Sequence, residues 1–156
     1  MKAILAIDQS TSATKAILFD AAGEVLASAS RDHAQHYPQP GWIEHDAGEI
    51  WGNVCALICE IMEGEAAAVA DIAALSLTNQ RETILVWDRE TGRPLRPAIV
   101  WQCTRGAEIC EEIKNGGHEQ QVERRTGLRI DTYFSASKLT WLMREEPEVA
   151  EALREG

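Results

Sequence analysis

The chain has 156 residues, 45% of them hydrophobic, which is enough for one domain with a substantial core and too apolar for a disordered segment. Its formal net charge of −10, from 15 Lys and Arg against 25 Asp and Glu, argues against nucleic-acid backbones and anionic membrane surfaces as partners, while leaving room for a local basic pocket around a nucleotide. Met1 and Lys2 lead straight into a strand-length apolar run without a signal-peptide core, and no stretch is long enough to cross a bilayer, so the sequence reads as cytoplasmic.

Ile4, Leu5, Ala6 and Ile7 form the short apolar run of a buried central strand, and the run stops at Asp8, a carboxylate that a core would reject unless something used it. Gln9, Ser10, Thr11, Ser12, Thr14 and Lys15 then make a polar, hydroxyl-rich loop before a second apolar run, Ala16 to Phe19, closes on Asp20. A tight polar loop with an acid before it and a lysine after it suits phosphate and a divalent metal, with backbone N–H groups and hydroxyls facing the oxygens and Asp8 facing the water shell of the metal. Taken alone, the pattern fits an ordinary hairpin turn rich in Ser and Thr equally well.

The turn from Asp20 to Gly23 leads to a third strand from Glu24 to Ser30, so three antiparallel strands open the chain. Pro38, Pro40 and Gly41 exclude regular structure from His36 to Asp46, a crossover loop that Tyr37 and Trp42 would pin to the surface. Asp46 and Glu49 have capping-box spacing, and Ile50, Trp51, Val54, Cys55, Leu57, Ile58, Ile61 and Met62 form one broad helical face before Gly64. Ile72 to Leu77 reads as another buried strand, ending in the polar run Thr78 to Thr83. Two further strands are expected at Ile84 to Trp87 and Pro97 to Trp101, joined by a turn from Asp88 to Gly92. Helices follow from Thr104 through Ile113, from Glu119 to Arg125 with Gly127 as the stop, from Ser135 through Met143, and from Pro147 through Leu153. The order is an α/β pattern with an antiparallel beginning. The last amphipathic helix has no following strand to cover it, which leads us to expect a fragment of a longer chain.

Cys55 and Cys59 lie in a helical pattern, Cys103 and Cys110 are separated by six residues, and no CxxC occurs; the four read as free thiols used for packing. His33 and His36 have no cysteine at metal-ligand spacing and read as solvated.

Five motifs in order carry a resemblance. They are Asp8-Gln9 with Thr11 and Lys15; Gly41-Trp42-Ile43-Glu44-His45-Asp46 followed by Glu49-Ile50-Trp51; Thr78-Asn79-Gln80-Arg81-Glu82-Thr83; Ala98-Ile99-Val100-Trp101-Gln102; and Thr126-Gly127-Leu128 with Tyr133-Phe134-Ser135, Lys138-Leu139, Trp141 and Leu142. Together they resemble the N-terminal portion of the FGGY carbohydrate kinases, the glycerol kinases among them. The resemblance implies an actin-like, ribonuclease H-like α/β fold in which two such domains close over ATP and a polyol. This chain, 1–156, would be a partial N-terminal domain lacking the second, ATP-clamping domain.

The resemblance further implies that Asp8, Thr11, Ser12 and Lys15 face the phosphates of ATP, with Asp8 toward Mg2+. Arg81, Glu82, Trp101 and Tyr133 would bind glycerol or a related polyol. The types suit such a ligand, which needs a forked donor, a carboxylate acceptor, a phenol and an apolar face for its carbons. Without the resemblance, Arg81 and Glu82 read as a solvated ion pair at a strand end. No catalytic residue is expected within the chain, because the general base of the family lies beyond Gly156. The expected partners are the polyol and the missing C-terminal domain, with neither nucleic acid nor membrane, and a homo-oligomer is compatible with the sequence. Ser10 stands where glycerol kinases usually have glycine, and Ala13 and Thr14 alter the hydroxyl run, so the loop resembles other FGGY kinases as much as glycerol kinases. Two alternatives stand beside an ATP-dependent glycerol kinase: a kinase of another polyol or ketose, such as erythritol, and a non-catalytic polyol- or nucleotide-binding module.

Overall fold

A computed structural model describes residues 1–155. They form β1 (Lys2–Gln9), β2 (Ala13–Asp20), β3 (Val25–Asp32), β4 (Glu44–His45), α1 (Ala47–Glu63), α2 (Glu65–Ala68), β5 (Asp71–Thr78), β6 (Ala98–Ile99), α3 (Ala107–Asn115), α4 (Glu119–Thr126), α5 (Ser135–Glu145) and α6 (Pro147–Glu155). The chain divides into two compact units. One comprises Met1–Gln35 and Asp46–Gln80, the other His36–His45 and the chain from Arg81 onward.

The first unit is a four-stranded sheet in the order β3-β2-β1-β5, with β1 antiparallel to β2 and parallel to β5. Strict alternation along β1 puts Ala3, Leu5 and Ile7 on one face, where Ala16 and Leu18 of β2 and Leu57 and Ile61 of α1 complete the core. Burying Leu57 and Ile61, at 0% and 3% exposure, contributes about 1.5–3 kcal/mol each. Asp46 caps α1 by accepting the N–H groups of Gly48 and Glu49, while Glu49 turns its own carboxylate to the Ala34 N–H. Asp20 holds the β2–β3 turn by accepting the N–H groups of Ala22 and Glu24, and Gly23 takes the left-handed φ of 86° that this turn requires.

The second unit pairs β4 with β6 and surrounds them with α3, α5 and α6 over a core of Ile99, Cys103, Leu142 and Val149. Its interior includes a cation. The Arg105 side chain is 3% exposed, ion-paired to Glu44 at 2.7 Å, with its guanidinium carbon 4.2 Å and 4.8 Å from the ring centroids of Trp42 and Trp141. Gly106 lets α3 and α5 approach, since a Cβ there would lie 2.7 Å from the Ser137 Oγ.

Several sequence expectations are corrected. β5 is a strand, yet an edge one: Leu75 and Leu77 are 63% and 68% exposed, because an apolar run specifies a strand without specifying its neighbours. Residues 84–87 and 97–101 give only β6 and the isolated bridges Ile84–Ile99 and Trp87–Pro94. α3 begins at Ala107, three residues after Thr104. On α1, Trp51, Cys55 and Met62 are exposed, so the buried stripe is narrower than the pattern suggested. Cys103 and Cys110 are buried packing residues, but Cys55 and Cys59 are exposed; all four are free thiols, as expected. His33 is buried, and Trp42 joins the interior of its unit rather than a surface loop.

Candidate functional site

Two groups of expected site residues fall in the two units. In the first unit, Asp8 is the penultimate residue of β1, half-buried, with Lys15 opposite it on β2 and Thr78 opposite it on β5. Directly paired residues share a face, so the carboxylate is flanked by an ammonium and a hydroxyl at the carboxyl ends of two parallel strands, the end of an α/β sheet where ligands collect. Lys15 is exposed. The β1–β2 turn is fastened by Ser10, whose N–H and Oγ both donate to the Ala13 carbonyl at 2.9 Å, and by Gln9, whose Nε2 donates to the Ser10 carbonyl. Thr14, fully buried, donates to the Gln9 side chain. Ser10, Gln9 and Thr14 therefore hold the turn, and Thr11 and Ser12 occupy its tip.

The donor set bears on a metal. Among the described residues no group of three His, Cys, Asp or Glu side chains could cage one. A single carboxylate at a strand end fits Mg2+ held jointly by phosphate oxygens and water, since Mg2+ keeps much of its hydration and takes one or two carboxylates.

In the second unit, the rings of Trp101 and Tyr133 meet edge to face with centroids 5.4 Å apart, and Phe134 continues the aromatic row at 5.2 Å from Tyr133. Thr83 Oγ1 accepts the Trp101 backbone N–H. Glu82 has φ 63°, the single left-handed non-glycine residue among those described. Such a conformation costs about 1–3 kcal/mol and persists only where the surroundings enforce it. Here they do: Glu82 Oε2 accepts the Ser135 N–H at 2.9 Å and the Ser135 hydroxyl at 2.7 Å. The carboxylate thus serves a free N–H in the first turn of α5, which Phe134 enters without a side-chain cap of its own. Arg81, next in the chain, is exposed, and Tyr133 is 38% exposed. The structure thus joins Trp101 to Tyr133 directly and Glu82 to the residue two beyond Tyr133; Arg81 is tied to them through the backbone of Glu82.

Sequence reasoning counted Ser135 and Lys138 among the residues of a motif and Ser135 as the start of a helix, and gave neither a role in the site. Lys138 is completely buried, and its Nζ donates to the carbonyls of Thr132, Tyr133 and Phe134 at 2.7, 2.7 and 3.2 Å. Burial pushes its pKa below the ordinary lysine value, against the opposing influence of Cys103, Glu82, Cys110 and Asp131. A signal was available: Lys138 shares a helical face with Trp141 and Leu142, at i+3 and i+4, where a solvated lysine is out of place.

Comparisons with known proteins bear on the family. Residues 3–155 match the N-terminal domain of the FGGY family of carbohydrate kinases. The chain is 51% identical over 144 residues to a glycerol kinase of Bordetella pertussis, covering 92% of this chain and 28% of that protein. It is 54% identical over 143 residues to one of Citrifermentans bemidjiense, covering 92% and 29%. Among solved structures, Plasmodium falciparum glycerol kinase with ADP superposes over the whole chain and 31% of its own, with a TM-score of 0.94 at 37% identity. A xylulose kinase from Lactobacillus acidophilus superposes over 97% of this chain and 30% of its own, with a TM-score of 0.87 at 28% identity. The chain therefore spans about 30% of the length of these relatives. Its mixed sheet with an antiparallel opening is the actin-like ATPase fold of these kinases, and no helix among the described residues is long and apolar enough to cross a membrane. On the match over residues 3–155, the chain belongs to the FGGY family of carbohydrate kinases, as an N-terminal domain.

Proposed function

We propose that this domain supplies the polyol-recognition surface and part of the phosphate-facing surface of an ATP-dependent glycerol kinase, which transfers the γ-phosphoryl group to a terminal hydroxyl of glycerol. The observation that carries the reading is the second-unit cluster, in which a carboxylate held in left-handed backbone by Ser135 stands with an aromatic wall made by Trp101 and Tyr133. In this reading Arg81 donates to the glycerol hydroxyls and Glu82 accepts from them through Oε1, since both Ser135 bonds fall on Oε2. The Tyr133 phenol bonds a third hydroxyl, and Trp101 covers the carbon chain. Such a set fixes a small, uncharged molecule by direction rather than by charge.

At the first unit, Asp8 orients the water shell of Mg2+, and Thr11, Ser12 and Lys15 face the phosphates of ATP. Held there by Asp8, the metal would supply positive charge to the phosphates. The general base is assigned to none of these residues, and a C-terminal FGGY domain is the partner that would clamp the nucleotide. Among solved structures, 37% identity to a glycerol kinase against 28% to a xylulose kinase and a gluconate kinase favours glycerol over a ketose or sugar acid.

The test is a kinase assay on a polypeptide in which these residues continue into a C-terminal FGGY domain, against glycerol, erythritol, xylulose and gluconate. Preference for glycerol, abolished by Arg81→Ala, is expected. Preference for a longer substrate overturns the glycerol assignment, and no turnover with any of them, with ATP binding retained, favours a binding module.

A further inference from the structure

Lys138 stands outside the four residues assigned to the polyol, yet it is the charge most completely enclosed beside them. Its residue is 0% exposed, and its three ammonium protons meet three consecutive carbonyls, those of Thr132, Tyr133 and Phe134. For one atom to collect three successive carbonyls, the backbone must curl around it, which fixes the backbone dihedrals of Tyr133 and with them the direction of its Cα–Cβ bond, from which the ring meets Trp101. The same short loop is held from the other side, since Asp131 Oδ1 accepts the Tyr133 N–H at 2.7 Å and Glu82 holds Ser135. The ionisable groups facing the ammonium are Cys103, Cys110 of α3, Glu82 and Asp131. Packing alone does not account for a lysine here, because burying an ammonium is far more costly than burying a methionine of similar length.

We propose that Lys138 is a positioning residue of the polyol site: through the carbonyls of Thr132, Tyr133 and Phe134 its buried ammonium holds the Tyr133 ring against Trp101 before any polyol arrives. The proposal rests on the assignment of Tyr133 and Trp101 to polyol binding. It makes the aromatic wall preorganised rather than assembled by substrate, so the cost of ordering the loop is met in folding and not in binding. No neutral side chain of similar length offers three donors from one atom, so the position depends on charge as well as size.

The experiment compares the 156-residue chain with its Lys138→Met and Lys138→Gln variants. The Trp101–Tyr133 contact is read without ligand from ring-to-ring nuclear Overhauser effects, and glycerol binding from amide shifts. Lys138→Met is expected to unfold cooperatively, to lose the ring-to-ring effects, and to bind glycerol about tenfold more weakly or worse. Lys138→Gln, which keeps two donors, is expected to fall between. Wild-type ring contacts and glycerol affinity in Lys138→Met, with only its stability changed, overturn the proposal. Should neither variant fold, an alkaline titration of Tyr133→Phe with lysine labelled at Cε decides, since no phenol then ionises at that position. The ring-to-ring effects at position 133 are expected to fade in step with deprotonation of Lys138, and their persistence through it overturns the proposal. If glycerol binds neither wild type nor variants, the polyol reading fails while the ring contacts still judge Lys138.

Discussion

Glu82 and Ser135, 53 residues apart in sequence, are joined twice through one carboxylate oxygen: Oε2 accepts the Ser135 N–H at 2.9 Å and its hydroxyl at 2.7 Å. The bond pair explains two features at once. It supplies the acceptor that the first turn of α5 lacks, and it holds Glu82 at a φ of 63° that a non-glycine residue avoids when free to choose.

That strain is measurable. Glu82→Ala and Glu82→Gly both remove the carboxylate, so their difference isolates the backbone. The glycine variant is expected to be the more stable by about 0.5–1 kcal/mol, after its greater freedom in the unfolded chain is set against the relief of left-handed strain. Ser135→Ala, which keeps the N–H bond and loses the hydroxyl one, is expected to cost about 1.5 kcal/mol. Urea unfolding of the three variants checks both; equal stability of the alanine and glycine variants contradicts the strain.

Arg105 gives a prediction about the second unit alone. Its guanidinium lies against the edge-to-face pair of Trp42 and Trp141 and is ion-paired to Glu44 in a nearly dry setting. Removing one partner of a buried pair leaves the other charge stranded, so Arg105→Ala is expected to lose about 3–5 kcal/mol. Arg105→Lys is expected to recover only part of that, because a compact ammonium cannot match the forked guanidinium that meets both indoles and the Glu44 carboxylate at once. Denaturation followed by tryptophan fluorescence separates the two, and a lysine variant as stable as wild type contradicts the dependence on the guanidinium.

Lys138 gives a dependence on pH. Its folded pKa is lowered by burial, so between that value and the ordinary lysine value the unfolded chain binds the extra proton. Stability contributed through Lys138 therefore rises with pH across that window and is flat below it. The difference in unfolding free energy between wild type and Lys138→Met is expected to move in favour of wild type as pH climbs from neutrality toward the ordinary lysine range. A difference that is constant, or moves toward the variant, contradicts a depressed pKa.

Under the proposed reading the 156 residues hold polyol contacts and part of a phosphate surface, with no group assigned to take the proton of the attacking hydroxyl. Phosphoryl transfer demands that both substrates be held in line at once. Loss of a general base is typically worth about 10²–10⁴ in rate, and loss of orientation of the second substrate adds to it. The purified chain is expected to release no ADP dependent on Mg2+ and glycerol above a protein-free control. Saturable turnover that Arg81→Ala reduces would place a base among residues given other roles.

Much of the fold was legible because the signals were local. The apolar run from Ile4 to Ile7 in a strand, Asp20 to Gly23 at a turn, Asp46 before a helix, Gly127 with a φ of 72° after one, and Pro147 opening the last are each decided within a few residues. What failed depends on distant chain. Leu75 and Leu77 read as buried because an apolar strand carries no mark of what lies beside it, and Trp42 read as a surface anchor because its partners, Arg105 and Trp141, are remote in sequence. Asp8 and its hydroxyl-rich loop were reached from the chemistry of the residues, whereas the polyol residues were named from motif resemblance. The resemblance reached Arg81, Glu82, Trp101 and Tyr133, but not the bonds of Ser135 and Lys138 that hold the loop around them, since those appear only when separated segments are brought together.

The central claim, that the second unit carries a polyol surface, is tested most directly by titrating the 156-residue chain with glycerol and following its backbone amide resonances. Saturable shifts confined to residues around Arg81, Glu82, Trp101 and Tyr133 are predicted, weak in affinity, weaker for erythritol and xylulose, and absent in Arg81→Ala. Shifts that map elsewhere, or that survive Arg81→Ala unchanged, would contradict it.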